Sequence, residues 1–152
     1  MPGSGNDPSK RAPMYWNEAR DNGTTNPPPE CELPEDYPLG SLEEQLNDDD
    51  SIFNYYRQAI AIRNALPQIA RGIPTAETAL NTGCVSATRR TWNDESCIIL
   101  MNIDANDASV DLTGYEGWNL AASLSANGDK IKLKGSKLDL PAWGVAVLTP
   151  AA

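Results

Sequence analysis

The chain has 152 residues, 12 basic and 21 acidic, no histidine and a formal net charge of −9. That length suits one domain, or one small domain with an appendage. The charge repels polyanions, so no nucleic-acid and no membrane partner is expected, and the missing histidine excludes histidine-based triads and the common histidine-containing zinc sites.

The first forty residues are loop-forming. They carry Pro2, Pro8, Pro13, Pro27, Pro28, Pro29, Pro34 and Pro38 with Gly3, Gly5 and Gly23, and such a segment orders only against something else. Met14, Tyr15, Trp16, Tyr37 and Leu39 give it apolar groups that a linker does not need. The opening MPGSGNDPSKR lacks the apolar core of a secretory leader, and no run approaches a membrane span. Ser41 followed by Glu44 is a capping box, which predicts a short helix over 42–47.

The clearest element is 50–67, DSIFNYYRQAIAIRNALP. Ser51, or Asp50 before it, can cap the first turn, Asp48, Asp49 and Asp50 favour the positive end of the helix dipole, and Pro67 stops the run. At about 100° per residue, Ile52, Phe53, Tyr55, Tyr56, Ala59, Ile60, Ile62 and Leu66 fill an arc of about 180°, which predicts packing on a large neighbour. Asn54, Arg57, Gln58, Ala61, Asn64 and Ala65 take the opposite face. Arg63 falls inside the apolar arc, so it either snorkels to water along its stem or is a buried guanidinium paired with carbonyls or a carboxylate.

After Gly72 the period shortens. Val85–Trp92 and 96–103 read as strands joined by Asn93, Asp94 and Glu95, and the apolar run from Cys97 to Ile103 is expected to be central and buried on both faces. Val110 and Leu112 share a face. Trp118, Leu120, Ala122 and Leu124 alternate and are expected to share another. Asn127-Gly128 and Gly135-Ser136 are turns, the first preceding 130–133, and 143–148 reads as the last strand. Six or seven short strands at roughly ten-residue spacing predict an antiparallel sandwich or Greek-key barrel. Cys31, Cys84 and Cys97 are odd in number and lack a CxxC spacing; Cys84 and Cys97 could pair only if their strands bring them together, and otherwise all three read as free thiols, with Cys97 a small core hydrophobe.

Taken in order, MPGSGNDPSKRAPMYW, SLEEQLNDDDSIFNYYRQAIAIRNALPQIARG and the closing LPAWGVAVL resemble the C-terminal end of the α-amylase superfamily, glycoside hydrolase family 13, and more narrowly its α-glucosidase and oligo-1,6-glucosidase branch. Arg11, Pro13, Met14 and Trp16 match a family loop element that follows the last barrel strand. Asn54, Tyr55, Tyr56, Arg57, Ile60 and Arg63 match the helix that closes the barrel. The resemblance implies a remnant of a (β/α)8 barrel end over 1–72 and an all-β domain C over 73–152. The fold expected is thus mainly β, an antiparallel Greek-key sandwich preceded by one long helix and a proline-rich segment. It also implies a retaining parent that works through a carboxylate nucleophile and a carboxyl acid/base on barrel strands upstream. The chain, having no N-H-D sequence, is expected to start downstream of all the catalytic residues and to be inactive alone.

Within that resemblance Arg11 and Trp16 would sit near the mouth of the parent's active site, the indole stacking on sugar C–H surfaces and the guanidinium donating to hydroxyls. The alternative is that both pack the loop. Trp92, Trp118 and Trp143 could form a sugar platform; the strand spacing of Trp118 and Trp143 suits core packing, and Trp92, beside a turn, is the exposed candidate. Glu43, Glu44 and Asp48 to Asp50 read as helix-terminal charges rather than glycosidase carboxyls. Asp104, Asn106 and Asp107 have calcium-type donors but lack the glycine and distal glutamate of a calcium loop, so a plain turn is expected. No cofactor is expected for this chain, calcium being an option for the parent. Three functions follow: a structural module of an α-glucan-hydrolysing enzyme; a starch- or maltooligosaccharide-binding module; or an unrelated β-protein with a partner-binding helix. The partners expected are an α-glucan through the parent, the barrel itself, and a second copy through the helix face.

Overall fold

The computed structural model describes residues 10–31 and 40–151. Pro2, Pro8, Pro34, Pro38, Gly3, Gly5, Tyr37 and Leu39, singled out above, lie outside the described residues. The chain divides into two compact units that meet between Asn54 and Tyr55. No helix among the described residues is long and apolar enough to cross a membrane.

In the first unit the capping box closes as expected. The Ser41 N–H donates to Glu44 Oε2 at 2.6 Å and the Glu44 N–H to Ser41 Oγ at 3.2 Å, starting α1, Leu42–Leu46. The next two free donors of that turn are met by the preceding loop: the Leu42 N–H reaches the Tyr15 carbonyl at 2.9 Å and the Glu43 N–H reaches that of Trp16 at 3.1 Å. The loop is itself closed by a Tyr15–Gly23 bridge. A side chain at Gly23 would meet Pro13 and the Thr25 carbonyl at 3.2 Å, a close approach that one or the other would have to yield to.

The long helix, α2, spans Ile52–Ala65, capped by Ser51 Oγ, which accepts the Asn54 N–H at 3.2 Å. Its orientation corrects the sequence reading. Ile52, Tyr56 and Ile60, placed above on the buried arc, are 55%, 64% and 54% exposed, while Asn54, placed on the polar face, is 1% exposed. The cause is local. Asn54 Nδ2 donates to the carbonyls of Gln45 at 2.9 Å and Asp48 at 2.7 Å, so the link between α1 and α2 wraps over the asparagine. An amide buried with such partners outcompetes the apolar stripe for the covered face. Arg63 is exposed, consistent with snorkelling. Pro67 does end α2, but it also occupies the first turn of a further helix, α3, Pro67–Arg71, where its missing N–H costs nothing.

In the second unit α3 turns through Gly72 into β1, Ile73–Ala76. A Cβ on Gly72 would lie 2.4 Å from the Gln68 carbonyl. A 3-10 turn, Thr78–Leu80, leads to β2, Val85–Trp92, and β3, Glu95–Asn102. Glu95 is the first residue of β3 and pairs with Trp92, so the turn is two residues, not three. Asn93 and Asp94 both take positive φ, 50° and 63°, as the tight hairpin twist requires. Then come β4, Ala108–Asp111; β5, Trp118–Leu124; β6, Lys132–Lys134; β7, Lys137–Leu140; and β8, Val145–Pro150.

One antiparallel sheet has the order β1-β2-β3-β8-β5 and the other β4-β7-β6. Ile98, Leu100, Ala146 and Leu148 of the first meet Val110, Leu138 and Leu140 of the second in one buried cluster, giving a two-layer sandwich. Ala59, Ile62 and Ile69 line an apolar cleft of about 120 Å³ with Ile99, Val145 and Val147, so the helical segment covers the outer face of the larger sheet. This explains why β3 can be apolar on both faces. Its far end departs from the expectation: Met101 and Ile103 are exposed.

Strand β5 supplies a further correction. Leu120 pairs with Leu148, but Ala122 pairs with Val147, so a bulge at Ala121 inserts one residue. Trp118 and Leu120 therefore face the core, and Ala122 and Leu124 face the opposite side, because one extra residue inverts a period of two. Asn127-Gly128 carries the chain from one sheet to the other rather than closing a hairpin. The last strand starts at Val145, not Trp143.

Candidate functional site

Arg11 and Trp16 are both solvent-exposed, on the loop pinned to α1. Trp16 is fixed through its backbone: its N–H donates to the Asn22 carbonyl at 2.8 Å and its carbonyl accepts from Glu43, which leaves the indole 42% exposed. The Glu43 carboxylate accepts the Glu18 N–H at 3.0 Å, and the Glu44 carboxyl is held below its ordinary pKa by the Ser41 backbone N–H and then by its hydroxyl. These acids therefore serve the loop and the helix start. Trp92 lies in the second unit. It is half-buried, with the Arg71 guanidinium 5.1 Å from its ring centroid, so one face is occupied by a cation rather than open to a sugar.

Asp104, Asn106 and Asp107 form a turn. Asp104 Oδ1 accepts the Asn106 N–H at 2.9 Å and its Nδ2 at 2.8 Å, which lowers the Asp104 pKa. Asp107 Oδ1 accepts the Ala142 N–H at 3.1 Å. Among the described residues no three metal-ligating side chains converge.

One grouping has no counterpart in the sequence reading, and one residue departs from it. Glu77 accepts from Arg89 Nε and from the Tyr115 hydroxyl, both at 2.6 Å, and the Arg89 guanidinium lies 4.9 Å from the centroid of Trp118. These contacts, Arg89 first, hold the Glu77 carboxyl below its ordinary value. No spacing rule could have paired residues so far apart. The residue is Trp143, expected to pack in the core but 49% exposed with φ of 57°. Its signal was local and readable: Pro-Ala-Trp-Gly is turn chemistry, not strand chemistry. Among the described residues, the carboxyls of Glu44, Glu77, Asp104, Asp111, Glu116 and Asp139 are held below their ordinary pKa by the hydrogen bonds they accept. A glycosidase acid needs the opposite displacement.

The model of the α-amylase catalytic domain matches residues 1–72. Over its whole length the chain superimposes on a solved structure of Eubacterium rectale Amy13B with a TM-score of 0.88 and 33% identity. The chain belongs to the α-amylase family. A probable α-glucosidase of Rhizobium meliloti (strain 1021) is 26% identical over 135 residues, and a probable oligo-1,6-glucosidase 2 of Bacillus subtilis (strain 168) is 31% identical over 62 residues. The trehalulose synthase MutB of Pseudomonas mesoacidophila MX-45 shares the fold, with a TM-score of 0.68 at 22% identity over 91% of the chain. The α-amylase-family chain spans 23% of the Rhizobium protein, 11% of the Bacillus protein and 30% of the Eubacterium chain.

Proposed function

We propose that this chain is the structural closing element of a retaining hydrolase of α-glucosidic bonds: the last outer helix of the barrel with the β domain behind it, and without hydrolytic activity of its own. The observation that carries this reading is the stripe Ile52, Tyr56 and Ile60. These residues recur every four positions on α2, are more than half exposed, and lie inside the segment that matches the catalytic-domain model. An apolar helix stripe without cover is unfavourable in water and calls for a partner. In this reading the barrel covers it, residues 1–72 belong with the barrel and 73–152 form the attached domain.

A chimaera tests the reading. Replacing the matched 135-residue segment of the Rhizobium α-glucosidase with this chain should give a soluble protein that hydrolyses an α-glucoside. Changing Ile52, Tyr56 and Ile60 together to Asp in that chimaera should abolish solubility or activity. A chimaera indifferent to those three charges would refute barrel cover.

A further inference from the structure

We propose that the junction of α2, α3 and the larger sheet binds a short-chain alkyl carboxylate, its tail in the apolar cleft and its carboxylate on Arg63 and Arg71. Two adjoining spaces carry this. The first is the cleft of about 120 Å³, lined by Ile62 and Ile69 of the helices and by Ile99, Val145 and Val147 of the sheet. Besides Arg63, its lining has one polar residue, Ser123. The second is an open recess of about 330 Å³, lined by Arg63, Asn64, Pro67, Ala70 and Arg71. Arg63 borders both, so an apolar space meets a cationic one at its side chain.

The chain makes this arrangement by breaking a helix. Residues eight apart on an unbroken helix stand about 12 Å apart along its axis. Pro67 ends α2 and Leu66 takes φ of −119° and ψ of 90°, so the axis is interrupted between Arg63 and Arg71. Gln68, 6% exposed, holds α3 to the β2–β3 hairpin, its Nε2 donating to Glu95 Oε2 at 2.6 Å. The Arg71 guanidinium lies over Trp92. Stacking engages the face of a guanidinium and leaves its in-plane N–H donors for an oxyanion. Neither Arg63 nor Arg71 has a carboxylate partner among the described residues, and none of those lining the recess is acidic. An arginine in the last turn of α2 and of α3 suits each helix dipole. That preference does not require both to line one recess, where like charges repel until an anion stands between them.

The ligand class follows from size and charge. At about 30 Å³ for a water-sized group, the cleft takes about four methylene-sized groups. An alkyl tail of that length gains by leaving water, whereas a sugar would set hydroxyls without partners against Ile62, Ile99 and Val147. A planar carboxylate matches the fork of a guanidinium. An inorganic anion uses the recess without the cleft and a neutral alcohol the cleft without the recess; an alkyl carboxylate uses both.

Sodium pentanoate titrated into the whole chain, labelled with 15N on arginine and 13C on the isoleucine methyls, tests this. The Nε–H peaks of Arg63 and Arg71 and the methyl peaks of Ile62 and Ile99 should shift saturably, with one midpoint at millimolar pentanoate. At matched ionic strength acetate, which lacks the tail, and 1-pentanol, which lacks the charge, should each bind weaker by about tenfold or more. Arg63→Gln and Arg71→Gln change exposed side chains, so both should fold, and each should lose about tenfold or more in pentanoate affinity. Arg57→Gln, on α2 but outside both linings, should lose nothing. No saturable shift, acetate as strong as pentanoate, or undiminished affinity in Arg63→Gln would each overturn the proposal. Ile52, Tyr56 and Ile60 line neither space, so none of these outcomes bears on barrel cover, which the chimaera tests separately.

Discussion

Arg89 Nε lies 2.6 Å from Glu77 Oε2, joining β2 to the segment that follows β1. The second oxygen of Glu77 takes the Tyr115 hydroxyl, so one carboxylate ties together three parts of the sandwich unit. Because the folded pKa of Glu77 is lowered, its stabilisation is complete above the unfolded carboxyl pKa, about 4.3, and is lost as pH falls through the folded value. Glu77→Ala should cost about 1–3 kcal/mol at neutral pH. It should also flatten the acid limb of the melting-temperature profile. Thermal melts between neutral and strongly acidic pH check both effects, and an unchanged acid limb in the variant would count against the tie.

Asn54 is the buried clamp of the link between α1 and α2. Asn54→Ala removes its donors to the Gln45 and Asp48 carbonyls and should destabilise by about 2–3 kcal/mol. Asn54→Asp should be worse, because it sets a carboxylate against those carbonyls instead of an amide. Urea titration with amide exchange of residues 45–54 reads the order of the two variants.

The stripe on α2 makes a different prediction. Ile60→Asp should change the stability of the chain by no more than about 0.5 kcal/mol, because the residue is exposed. It should nonetheless reduce self-association. Sedimentation of the wild type is expected to show concentration-dependent dimers and that of Ile60→Asp a monomer.

Cys97 is fully buried and its thiol is pushed up by burial, whereas Cys31 and Cys84 are partly exposed. Ellman's reagent should therefore titrate two thiols rapidly in the native chain and the third only on unfolding, since thiolate and access both set the rate. A third fast thiol would contradict the placement of β3 at the centre of its sheet.

Local chemistry was legible in the residues. Ser41 and Glu44 specify their capping box, Asn93 to Glu95 a hairpin turn one residue longer than the one formed, and the apolar run from Cys97 its central position. Face assignment was legible only where nothing interrupted the period. On β5 a single inserted residue at Ala121 inverts the side on which Ala122 and Leu124 lie, and alternation cannot register a bulge. On α2 the buried residue is an asparagine whose Nδ2 donates to a link that hydropathy does not see. Alternation carries the last strand back to Trp143, whereas Pro-Ala-Trp-Gly is turn chemistry, and the positive φ of Trp143 places it in that turn. Of the candidate site residues, Arg11 and Trp16 are exposed. Trp92 is covered by Arg71, a contact between distant positions that no sequence pattern announces.

The most direct test of the account is hydrolysis by the purified chain itself. Incubated with maltooligosaccharides and with nitrophenyl α-glucoside, it should release no product above the buffer rate. Turnover that co-purifies with the chain and disappears on changing one of its own carboxylates, Glu77 or Asp104, would contradict the account.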